Sequence, residues 1–73
     1  MAMDYTAAVY DYLRTLGNPG DEVRTEIRPW LSRTYGLDYR DAARVRRHAM
    51  RELKRRRLAE RINTRGAYVR ILA

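Results

Sequence analysis

Apolar positions recur with helical spacing in three stretches of the chain, and the period shortens near its end. Between Asp4 and Leu16, the residues Tyr5, Val9, Tyr12, Leu13 and Leu16 fall at i, i+4, i+7, i+8 and i+11. That spacing lines one face of a helix, with Asp4 as its N-cap. Gly17-Asn18-Pro19-Gly20 is the strongest breaker in the sequence and ends this helix. A second helix is predicted from about Glu22 to Tyr35, with Asp21 as N-cap and Val23, Ile27, Trp30 and Leu31 as its buried stripe. Pro29 is awkward inside that span, because it removes one hydrogen bond and crowds the carbonyl of Thr25, at ~3 kcal/mol. Either the helix kinks there or its regular part starts later. Gly36 closes the element.

The third predicted helix is the longest, about Tyr39 to Arg57, with Asp38 as N-cap and Asp41 three residues on. At ~100° per residue, Ala42, Val45, Ala49 and Leu53 share one narrow face. Arg40, Arg44, Arg47, Arg51 and Lys54 fall within about 40° of the opposite direction and form one basic stripe. Asp41 and Glu52 lie off that stripe, so its like charges lack the interleaved acids of an ordinary solvated face. Residues 58–62 and 67–71 are richer in β-branched and aromatic types and read as two short strands of a hairpin, with a helix continuing through Asn63 as the alternative that their imperfect alternation leaves open. Asn63-Thr64-Arg65-Gly66 supplies the turn between them. The predicted fold is therefore mainly α, three helices followed by a small C-terminal two-stranded β-hairpin, in a single domain over 1–73.

Composition narrows the chemistry. Seventy-three residues hold one domain, and neither a large cofactor fold nor a solenoid fits. The chain has no Cys and one His, so disulfides, Cys-based zinc sites and His clusters are not expected, and no cofactor or metal is predicted. No apolar run approaches membrane-spanning length and the N-terminus does not read as a signal peptide, so a cytoplasmic location is expected. Net charge is +7, unevenly spread. Residues 1–39 hold four Arg against six acids, and residues 40–73 hold eleven Arg and one Lys against three acids. Fifteen of the sixteen basic residues are Arg, whose planar fork pairs two oxygens, or guanine O6 and N7, at once. A GC-rich coding sequence accounts for Arg over Lys but does not segregate charge along a chain. The segregation points to a polyanion partner for the C-terminal half. Nothing in the sequence offers a foothold for catalysis: there is no Cys nucleophile, no Ser near His48, and no glycine-rich phosphate loop. No enzymatic role and no small-molecule ligand are expected.

The order of elements resembles the winged helix-turn-helix DNA-binding domains. The resemblance covers residues ~4–72 and rests on Gly36 as the turn glycine, with Ala42 and Val45 as apolar positions of the second helix of the motif. It also rests on the run from Arg51 to Arg61 as the exit into the first wing strand, on Arg65-Gly66 as wing tip, and on Tyr68-Val69-Arg70-Ile71 as the returning strand. Two positions depart from the pattern. Arg57 stands where many members have Gly, and Pro29 sits inside the first helix of the motif.

The resemblance implies double-stranded DNA as partner, with the third helix in a major groove. Arg40, Arg44 and Arg47 would then meet base edges, and Arg51 and Lys54 would lie nearer phosphates. Thr64 and Arg65 would reach the flanking backbone or a minor groove, and Tyr39 and Thr34 would offer hydroxyls to phosphates. It implies a small transcriptional regulator or a phage- or plasmid-type accessory factor, nucleoid-associated, gaining specificity as a homodimer or by side-by-side assembly on DNA. Two rival expectations are a ribosome-associated RNA-binding winged helix and a basic inhibitor module that docks on an acidic partner. Trp30 is expected to anchor the core between the second and third helices. His48 is expected at the core–surface boundary, and Tyr10 is expected to be exposed.

Overall fold

The computed structural model describes residues 4–62 and 67–73. Three helices, α1 (Thr6–Leu16), α2 (Ile27–Tyr35) and α3 (Tyr39–Arg55), pack against a small antiparallel sheet of β1 (Glu22–Arg24), β2 (Ala59–Arg61) and β3 (Tyr68–Ile71). The sheet order is β1-β3-β2. The fold is mainly helical α+β, with a three-stranded sheet where a two-stranded hairpin was expected.

The added strand corrects the predicted start of the second helix. Glu22 to Arg24 is extended, and β1 pairs with β3 in the register Glu22↔Arg70, Val23↔Val69 and Arg24↔Tyr68. Just beyond β1, the amide and the hydroxyl of Thr25 both donate to the carbonyl of Ala67, at 2.6 and 2.8 Å. Helix α2 then starts at Ile27, which makes Pro29 its third residue. The first amides of a helix have no partner within it, so a proline there removes nothing. Asp21 does not cap α2; its Oδ2 accepts from the amide of Asn18 at 2.8 Å and tightens the turn after α1.

Helix α1 begins two residues later than expected. Asp4 acts from outside it: Oδ1 accepts from the Thr6 amide at 2.9 Å and the Thr6 hydroxyl at 2.6 Å. The hydroxyl first, then the amide, holds the Asp4 carboxyl below its ordinary value. Leu16, expected on the apolar face, is 40% exposed. Gly17 follows the last turn of the helix, and glycine stands there for a steric reason. Its φ is ordinary extended backbone, but a Cβ there would stand 2.7 Å from Cγ1 of Val23. Gly36 ends α2 in the left-handed region, at φ 71°. Asp38 caps α3 as expected, accepting from the amide of Asp41 at 2.8 Å.

Helix α3 stops at Arg55, two residues short of the predicted end. The amide of Leu58 donates to the carbonyl of Leu53 at 2.9 Å, and that of Arg57 to Lys54 at 3.0 Å. This is the Schellman pattern, which needs a left-handed residue between cap and strand. Arg57 fills that place at φ 59°, with a side chain where glycine is the low-energy choice. The chain then enters β2, which pairs with β3 as Ala59↔Ile71, Glu60↔Arg70 and Arg61↔Val69.

The core lies between the three helices and one face of the sheet. Val9, Leu13, Ile27, Leu31, Ala42, Ala49, Met50, Leu53, Ala59, Val69 and Ile71 are its buried members, and Val23 closes it from β1. Trp30 does not lie between α2 and α3. It stacks on Tyr12 of α1, centroids 4.6 Å apart, and its other ring contact is Tyr35. Tyr10 is half-buried, its hydroxyl donating to the carbonyl of Ala73, and His48 is exposed.

Candidate functional site

Helix α3 divides its surroundings by charge. Its inner face is apolar: Ala42, Ala49 and Leu53 are fully buried and Met50 nearly so. One flank carries Asp41, His48 and Glu52, with Glu52 bonded to Arg55 at 2.8 Å and to Arg56 at 3.4 Å. Those partners hold the Glu52 carboxyl below its ordinary value, Arg55 first. The outward face and the opposite flank carry cations.

Arg40, Arg44, Arg47, Arg51 and Lys54 are all exposed. No hydrogen bond or ion pair to a described residue holds any of the five. Arg47, Arg51 and Lys54 line a hollow of ≈ 300 Å³ together with Arg46, Met50 and Arg61. Among the described residues, no carboxylate lines it. Arg40 and Arg44 line neither this hollow nor the one beside it and stand on the outward crest of the helix. Thr64 and Arg65, the two wing residues of the predicted site, lie outside the described residues. Thr34 is exposed near the end of α2. Tyr39 is 71% exposed and is engaged by Arg28, whose guanidinium carbon lies 4.5 Å from the ring centroid and which also donates to the Tyr39 hydroxyl.

Arg28, Arg46 and Arg61 belong to the surface but were not in the predicted site. A second hollow of ≈ 220 Å³ runs from the start of α2 to the sheet, and all three line it together with Arg24 of β1, with Glu26 as the one acid among its described lining residues. Arg61 lies at the end of β2 opposite Val69, on the inner face of the sheet, where the strand runs past the core toward α3. Arg46 lines both hollows and is half-buried. Burial pushes its guanidinium below the ordinary value, and the like charges of Arg28 and Arg61 push the same way. It remains a cation at neutral pH. One signal of Arg46 was legible: its helical neighbours Ala42, Ala49 and Met50 are all apolar, so a charge there sits inside the buried arc. Arg28 and Arg61 gave no such signal, because only the tertiary fold brings α2 and β2 beside α3.

Fold and surface together define a small α+β protein with a row of cations along one helix that no described residue pairs. No family model matches the chain, and neither a curated protein nor a solved structure matches it. Among the described residues, no helix is long and apolar enough to cross a membrane.

Proposed function

We propose that the chain is a double-stranded DNA-binding protein of the winged helix-turn-helix kind, with no catalytic activity of its own. In this reading α2, the turn at Gly36 and α3 form the helix-turn-helix, and β2 and β3 form the wing. Helix α3 enters a major groove, with Arg40, Arg44 and Arg47 toward base edges and Arg51 and Lys54 toward phosphates. The location is the nucleoid, and the role is a small regulator or an accessory factor that gains specificity by assembling on its site.

One observation carries the reading: five cations stand in a row on one helix with no partner among the described residues. Like charges so arranged repel, and a phosphate backbone supplies the opposite charge in the matching linear form. The test is competition at fixed salt. Labelled duplex is titrated with the protein, then challenged with unlabelled duplex and with structured RNA. Duplex is expected to compete better. Preference for RNA moves the protein to the rival RNA-binding class. Failure to bind either polymer at low salt would leave an acidic protein as the partner.

A further inference from the structure

Beside the outward row of α3 lies a second group of cations. Arg24 of β1 lines the edge of a hollow beside α3 in which Arg28, Arg46 and Arg61 come together from α2, α3 and β2. We propose that these three arginines form a seat for a single phosphate group of the nucleic-acid backbone, set on the flank of α3 rather than on its crest. The inference rests on the duplex-binding reading for the source of that phosphate.

Four features of the seat support it. Arg46 is half-buried amid apolar neighbours, and no described carboxylate bonds to it. Arg28 and Arg61 act on it as like charges, and a phosphate between them would turn that repulsion into attraction. Arg28 is already held, its guanidinium over the Tyr39 ring and donating to the Tyr39 hydroxyl, so little side-chain freedom remains to be lost on binding. The hollow, at ≈ 220 Å³, is smaller than the ~300–1,000 Å³ typical of pockets for organic ligands, and the planar forks of Arg match phosphate oxygens. Glu26 at the rim opposes an anion, which makes its neutralisation a test of sign. A backbone seated here would cross from the start of α2 to the end of β2, which fixes the side of α3 from which the duplex approaches.

The test uses inorganic phosphate first and duplex second. Phosphate is titrated at constant ionic strength against chloride, following the side-chain Nε–H resonances of Arg28 and Arg46. A saturable shift is expected in the wild type, lost in Arg46→Gln, retained in Arg44→Gln and strengthened in Glu26→Gln. Arg28→Gln repeats the experiment should Arg46→Gln melt early. With duplex, Arg46→Gln should weaken binding equally across sequences and lower the slope of log Kobs against log[salt] by about 0.9, the loss of one phosphate contact. Shifts that never saturate or that persist in Arg46→Gln, or an unchanged slope, would overturn the seat and leave the duplex reading intact. A wild type that takes up phosphate at Arg46 but ignores duplex would overturn the duplex reading and, with it, nucleic acid as the source.

Discussion

The same side chain lives under opposite conditions on two surfaces of this molecule. On the outer face of the sheet, Arg70 of the central strand lies between Glu22 and Glu60, its register partners, at 2.6 and 3.4 Å. Bonding to Glu22 above all raises its pKa. On α3, Arg40, Arg44, Arg47, Arg51 and Lys54 stand together with no carboxylate among the described residues bonded to any of them. The fold can neutralise an arginine when the sequence provides acids in register, and on the sheet it does. On α3 the acids occupy one flank, and the charge of the row is left for something outside the chain. An ion pair within a fold contributes to that fold, whereas a bare row of like charge contributes to association.

Reversing one charge on each surface should separate the two roles most sharply. Arg44→Glu is expected to abolish duplex binding while leaving the melting curve unchanged, since Arg44 is exposed and bonded to nothing described. Full-strength binding by that variant would take α3 out of the interface. Arg70→Glu should do the reverse, lowering the melting temperature by setting three carboxylates side by side across the strands, with binding nearly kept.

Under the row, Leu53 is fully buried, and Leu53→Ala should destabilise the fold by ~2–5 kcal/mol in denaturant titration. An unaltered transition would mean that α3 presents its other face to the core. Arg57→Gly relieves a left-handed side chain and should stabilise by about 1 kcal/mol. Loss of duplex affinity in this variant would show that Arg57 itself touches the nucleic acid. The smallest effect is with pH. Asp4 and Glu52 both titrate below their ordinary values of 3.8 and 4.5 in the folded chain. Their contribution is therefore complete above those values and fades as pH falls through the lower folded ones. The melting temperature should dip slightly on the acid side of about pH 4, and Asp4→Asn should flatten part of the dip.

The fold was legible where one local signal decided the matter. Asp38 capped α3, Gly17 and Gly36 ended their helices, and the apolar arc of Ala42, Val45, Ala49 and Leu53 faced inward, with Val45 half-buried. Strand β1 was missed because Val23 and Ile27 stand four apart, which mimics a helical stripe. Three residues are too few to show the alternation of a strand. Both residues are buried as expected, but Val23 reaches the core from the sheet. Pro29 was the clue that the helix began later. On the surface, the row of five was readable because it lies on one helix. The group at Arg28, Arg46 and Arg61 was not, because it draws on three elements that the sequence does not join. Trp30 misled in the same way, since its stripe identified a buried side but not the neighbour that fills it.

The account turns on whether the row on α3 is neutralised from outside by a polyanion. The direct measurement is duplex affinity across a salt series, from about 50 to 200 mM, for the wild type and for Arg44→Glu. Phosphate contacts by Arg51, Lys54 and the flank seat predict a slope of log Kobs against log[salt] of about −3 in the wild type, with binding lost in the variant. Affinity that barely responds to salt, or a variant as salt-sensitive as the wild type, would contradict it.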